Sequence, residues 1–265
     1  MTSRRILRHT MEPVARARRR LAPLVALMLA AVLVGTGGTE APAPVEAAAR
    51  QTYRVNLANS RDYVQQTNFV QCVGTSIQMM LNIMRPGADR TAKTQRRLQN
   101  LARAWSGPRP DGFQRRGASV RGWAASLVIH RAGAYKVVGA DSLQQAMKIA
   151  ATAIREYKRP VGLLVWRGRH AWVMSGFEAT GDPLLAQKWR VTKAYILDPL
   201  YPHGDDIWGP SPKPGTAISV AAVGRQFVRR QTNRNSPFAQ LPGQIRLRNK
   251  WVLVVPTGLI RPGIQ

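Results

Sequence analysis

The chain has 265 residues, 40 Lys and Arg against 13 Asp and Glu, a formal net charge of +27, and a single cysteine, Cys72. One thiol excludes an intramolecular disulfide framework. A charge this large predicts attraction to polyanions, but no zinc-finger, helix-turn-helix or RNP pattern is present, which excludes sequence-specific nucleic-acid readers of those types.

Residues 1–20 carry seven arginines and one acid, and Leu21–Gly35 (LAPLVALMLAAVLVG) is free of charge. Small residues and the Ala47-Ala48-Ala49 triplet follow. A basic start, a short apolar run and a small-residue site match a secretory signal peptide cleaved near Arg50. The run is short for a membrane span of about 20 residues; retained, it would act as an anchor. Residues 1–49 are therefore assigned to a signal peptide or N-terminal anchor and 50–265 to one domain. Removing the first segment leaves 33 basic and 10 acidic residues, a net charge near +23.

Ile77, Met80, Leu81 and Met84 recur at helical spacing, so GTSIQMMLNIM reads as the first core helix, stopped by Pro86-Gly87. TAKTQRRLQNLARAW predicts a second helix, basic on its outer side, and ASVRGWAASLVIHRAG a third, capped by Ser119. DSLQQAMKIAATAIREYKRP is the clearest helix, with Asp141 or Ser142 as cap and a Leu143, Met147, Ala150, Ile154 stripe. After Pro160 the period changes. VGLLVWRG, HAWVMSGFEAT, WRVTKAYILDPL and KWVLVVP are rich in Val, Ile, Trp and Tyr, bounded by Gly or Pro, and read as strands of an antiparallel sheet. A Pro-, Gly- and Arg-rich insert between Tyr201 and Asn249 holds one predicted helix, AISVAAVGRQFVRR. The class is α+β, helices first and then a sheet.

Cys72 falls at or just before the N-terminus of the first core helix, where unpaired N–H groups beginning at Val73 and Gly74 favour a thiolate. Activation calls for a base, and His170 opens a strand after the Gly168 turn. One strand later, AYILDP ends in Asp198, placed to fix the tautomer of His170 if the two strands are neighbours. His203, Asp205 and Asp206 match no zinc or calcium spacing and read as loop residues.

Gln66, five residues, Cys72 and then VGTSIQMMLN resemble the nucleophile helix of papain-like cysteine peptidases. More narrowly, they are similar to the branch of bacteriocin-processing (double-glycine) peptidases and their secreted bacterial relatives. RPVGLLVW, GRHAWVMSGF, YILDPLYP and KWVLVVP follow in that branch's order, so the resemblance spans about residues 60–256. It implies a papain-like fold with N-terminal helices packed on a mainly antiparallel sheet. Cys72 would be the nucleophile, His170 its base, Asp198 the residue orienting His170, and Gln66 the oxyanion donor together with the Cys72 N–H. Gln71 and Val73 depart from the acidic or polar residue and the glycine usual before and after this cysteine, and valine narrows backbone freedom there. The reading is a monomeric, secreted or surface-held cysteine peptidase without cofactor or metal, acting on a peptide or protein. Its positive charge would meet an anionic lipid or wall polymer. A transglutaminase-like acyl transferase, or a non-catalytic basic binding module on the same fold, are the alternatives.

Overall fold

Where the sequence turns from helical to strand-like periodicity, at Pro160, the chain enters the centre of a sheet. The computed structural model describes residues 52–85, 89–107, 116–231 and 246–258. The expected leader 1–49, the Pro86-Gly87 stop, most of the SGPRPDG connection and the second half of the insert lie outside the described residues.

The helices follow their capping chemistry. Helix α1 spans Cys72–Met84, α2 Ala92–Ala104, α3 Val120–Ile129 and α4 Leu143–Tyr157. Thr91, Ser119 and Ser142 each accept a hydrogen bond from the backbone N–H three residues on, as N-cap side chains do. Strand β1 is Tyr53–Asn56, β2 Tyr135–Ala140, β3 Val161–Val165, β4 His170–Ala179 and β5 Val191–Leu197. A two-residue pair, β6 (Gly204–Asp205) and β7 (Gly209–Pro210), forms its own small ladder. Strand β8 (Ala217–Ser219), helix α5 (Val220–Gln226) and β9 (Trp251–Pro256) complete the chain.

Seven strands form one sheet in the order β2-β9-β3-β4-β5-β8, with β1 on β4, and every pairing is antiparallel. The β4 strand is long enough that β3 pairs its first half and β1 its second. Gly176 permits this: a Cβ there would lie 2.2 Å from the Val55 carbonyl. One face of the sheet is covered by α1 and α3, with Ile77, Trp123 and Leu127 meeting Ala171, Val173 and Val254. The other is covered by α4 and α5, with Met147, Ile154 and Val223 meeting Leu163, Trp172 and Met174. Both faces are therefore dry, and β3 is a continuous apolar run instead of an alternating one.

Mixed helix and antiparallel sheet are as expected, but the helices do not all precede the strands. Strand β1 comes before α1, and β2 lies between α3 and α4. Both are short and partly exposed, and their hydrogen-bond partners lie far along the chain, so local pattern carries little trace of them. The helix predicted within the insert begins at Val220; Ala217–Ser219 pair with β5, and that ladder outcompetes another helical turn.

Candidate active site

The amide groups at the start of α1 are the first ingredient. Gln71 precedes the helix and offers no side-chain cap, and the first backbone bond runs from Thr75 N to Gln71 O, 2.9 Å. Helix geometry leaves the N–H groups of Cys72, Val73 and Gly74 without carbonyl partners inside the helix. Gln99 on α2 accepts the Gly74 N–H at 2.8 Å through its side-chain oxygen. The Cys72 and Val73 N–H groups keep no acceptor among the described residues. The valine that departs from the family pattern is buried in the first helical turn.

The loop leading into this helix is fixed by two glutamines of α2. Gln95 donates through Nε2 to Gln65 O at 3.1 Å and accepts from the Thr67 N–H at 2.8 Å. Gln99 donates to Val70 O at 2.9 Å. Both are buried, and they approach so closely that a Cβ on Gly74 would sit 2.7 Å from that of Gln99. Gln66 is anchored by its N–H to Pro199 O, 2.7 Å, the residue after Asp198. Its side-chain oxygen is buried without a hydrogen-bond partner, and its amide nitrogen donates to nothing among the described residues.

Strand β4 brings His170 to the same place. Ser76 on α1 donates to Ala171 O at 3.3 Å, which ties the helix to the strand one residue past the imidazole. His170 Nε2 lies 2.7 Å from Asp198 Oδ1, with the two side chains 4% and 0% exposed. Asp198 Oδ1 also accepts the Leu200 N–H at 2.9 Å, which fixes the carboxylate at the end of β5. Pairing of β4 with β5, Val173 opposite Leu197, sets this approach. The Cys72 side chain is near enough to the imidazole to act on its proton affinity. Because Nε2 faces Asp198, Nδ1 is the nitrogen left for the sulfur. Burial pulls the His170 pKa down, but the hydrogen bond to Asp198 and the neighbouring Cys72 outweigh that, and the imidazole is raised to about 9.

Trp166, Gln226, Gln95 and Gln99 are absent from the sequence expectation. The Trp166 ring stacks on His170, centroids 4.2 Å apart and planes 26° from parallel. It reaches that position from a turn in which Trp166, Arg167 and Gly168 all have positive φ, 55°, 57° and 101°. Two successive non-glycine residues there cost about 1–2 kcal/mol each, so the turn has to be held from outside. Trp166 Nε1 donates to Gln226 Oε1 at 2.8 Å, and Gln226 Nε2 donates to Pro210 O at 3.0 Å. An aromatic four residues before the histidine, across a glycine turn, was the available signal. For Gln95 and Gln99 the signal was a pair of polar residues on the inner stripe of an otherwise basic helix.

Of the four residues singled out from sequence, His170 and Asp198 are hydrogen-bonded, Cys72 lies near the imidazole, and the Gln66 backbone is tied to the carbonyl beyond Asp198. His130 caps the end of α3 and His203 lies in a loop outside this group. No group of three or more His, Cys, Asp or Glu able to hold a metal ion occurs among the described residues. A thiol at a helix start, an imidazole and a buried carboxylate in that sequence can generate a nucleophilic sulfur and return a proton to a leaving group.

Comparison with protein-family profiles and with curated proteins gives no match. A solved structure of a Bacillus anthracis protein provisionally assigned as a C39-like peptidase is similar over 78% of this chain and 99% of its own, at 13% identity and a TM-score of 0.40. At that level of similarity the functional reading stands on the geometry of the site itself.

Proposed function

We propose that the chain is a papain-like cysteine peptidase that hydrolyses peptide or isopeptide bonds through Cys72, His170 and Asp198. The observation that carries this reading is the buried 2.7 Å His170–Asp198 pair with the only thiol of the chain near the imidazole. Cys72 sulfur attacks the scissile carbonyl, and the C–N bond breaks as His170 gives its proton to the departing amine. The resulting thioester is hydrolysed by a water whose proton His170 takes, restoring the starting state. Negative charge on the tetrahedral oxygen would be met by the Cys72 N–H and the Gln66 side-chain amide; the reading is supported by the Cys72 N–H having no acceptor among the described residues. Asp198 holds the imidazole with Nδ1 toward sulfur and stabilises its protonated form. Secretion, or retention at the outer surface through the N-terminal apolar run, completes the proposal and is supported by the Arg-rich start and the Ala triplet.

The test is iodoacetamide labelling of the protein followed by turnover of a fluorogenic peptide library. Wild type is expected to label at one site and to cleave; Cys72→Ala is expected to do neither. Full peptide cleavage by Cys72→Ala would end the reading.

A further inference from the structure

Helix α2 is the outermost element of the helical layer. It rests on α1 and α3 and not on the sheet, and its inner stripe of Gln95, Leu98, Gln99 and Ala102 is buried. Lys93, Arg96, Arg97 and Asn100 face outward and are exposed. The helix contains no acid, and none of its cations has an ion pair among the described residues. Asp89, the acid nearest it, is bonded to the N–H and hydroxyl of Thr91, and its charge acts on Arg97 alone among the α2 cations. On the sheet side part of the charge is paired, Glu178 with Lys193 and Arg54, Asp182 with Arg155, and Asp141 with Lys250, while Lys136, Lys188 and Arg190 are exposed with no ion pair among the described residues. The outer face of α2 is thus a row of exposed cations with no acid in the helix itself. Arg97 and Arg85 even bear on His130, which burial, and then these two charges, hold below its usual range.

Exposed apolar residues lie near both ends of the ridge. Trp105, 51% exposed, follows α2, and Ile129, 44% exposed, closes α3. Ser106 Oγ accepts the Ser119 N–H, so the end of α2 meets the start of α3, the helices run antiparallel, and Trp105 and Ile129 mark opposite ends. A cationic stripe flanked by an exposed tryptophan and an aliphatic residue is the surface chemistry of proteins that lie on anionic bilayers. Lys and Arg meet the headgroup charge, while Trp and Ile enter the headgroup–acyl boundary. A soluble polyanion would gain nothing from those apolar tips. The charge-free run Leu21–Gly35 upstream is compatible with the same destination.

We infer that the outer face of α2, with Trp105 and Ile129 at its ends, is a docking surface for an anionic lipid bilayer. This does not depend on the peptidase reading. If both hold, docking keeps Cys72 close to the lipid, because Gln99 on the inner side of the same helix binds Gly74, and one helix is about 10 Å thick.

The test uses the full chain and phosphatidylcholine vesicles with or without phosphatidylglycerol, read by co-sedimentation. One variant carries Lys93→Glu, Arg96→Glu and Arg97→Glu. A control carries Lys136→Glu, Lys188→Glu and Arg190→Glu, three exposed positions on β2 and before β5. The two share the same net charge and the same Arg-rich leader. The wild type is expected to prefer the anionic vesicles, the α2 variant to bind them at least tenfold more weakly, and the control to stay within twofold of wild type. The milder pair Arg96→Gln and Arg97→Gln, for which folding is checked by circular dichroism, is expected to fall in between. On vesicle addition, the wild-type minus Trp105→Phe fluorescence difference is expected to shift to the blue. Equal losses in the α2 and control variants, equal binding to neutral vesicles, or loss of heparin binding with vesicle binding intact in the α2 variant would each overturn the inference.

Discussion

His170 is where burial and charge compete most directly. An imidazole of ordinary pKa 6.5 that is raised to about 9 binds its proton more tightly in the folded chain than in the unfolded one. Its contribution to stability is therefore complete below about pH 6.5, declines as pH rises, and is lost above about 9. Thermal melts between pH 6 and 10 are expected to show this decline, and Asp198→Asn, which removes the main partner of the protonated ring, is expected to flatten it. Turnover should follow the same proton: peptide cleavage is expected to fall above about pH 9, where the imidazole no longer has a proton for the leaving amine, while iodoacetamide labelling of Cys72 does not fall. Coincident alkaline limbs for labelling and cleavage would contradict this assignment of the proton. Asp198→Asn is also expected to lower turnover on the order of 10²–10⁴-fold, the range of a misdirected acid–base group. Gln66→Ala should leave labelling intact and cost about 3 kcal/mol of transition-state stabilisation, the size of one oxyanion donor. If Asp198→Asn were silent while Asp205 or Asp206 substitution abolished cleavage, the carboxylate would be misassigned.

Among the elements, α2 works on both of its faces. Its inner face contributes Gln99, which accepts from Gly74 N–H and donates to Val70 O, so the loop before Cys72 and the first turn of α1 are held by one side chain. Gln99→Leu is expected to leave both groups buried and unpaired, lowering stability by about 1–3 kcal/mol per lost partner. Cleavage should drop further than the melt alone accounts for, because the amides proposed to meet the oxyanion lose their support. Gln99→Glu keeps the acceptor and loses the donor, and is expected to recover part of the stability. Equal cleavage in Gln99→Leu and wild type, after correction for folded fraction, would separate this network from catalysis. The turn before β4 is the corresponding device on the sheet: three positive-φ residues place Trp166 on the ring of His170, and Gln226 from α5 holds them there.

At the scale of the whole molecule, charge sets the expectation. With 33 basic and 10 acidic residues after position 49, and several of the acids already paired, the remaining cations repel one another. Salt screens that repulsion over a Debye length of about 10 Å at 0.1 M. The melting temperature is expected to rise with added sodium chloride, followed by circular dichroism at constant pH; a fall would mean that the surface ion pairs dominate instead. Sequence alone determined the helices and central strands, because a cap such as Ser142, an apolar stripe such as Met147 and Ile154, and a strand run such as Trp251–Pro256 are written in neighbouring residues. It also put Cys72 at a helix start and His170 and Asp198 at strand ends, since helix caps, turns and prolines are local signals. Only the tertiary structure decided that β9 slips between β2 and β3, that β1 completes the edge of β4, and that Gln95, Gln99, Trp166 and Gln226 close around the thiol and the imidazole. Those choices join residues tens of positions apart, and a hydrogen bond across such a distance leaves no periodicity in the chain between them.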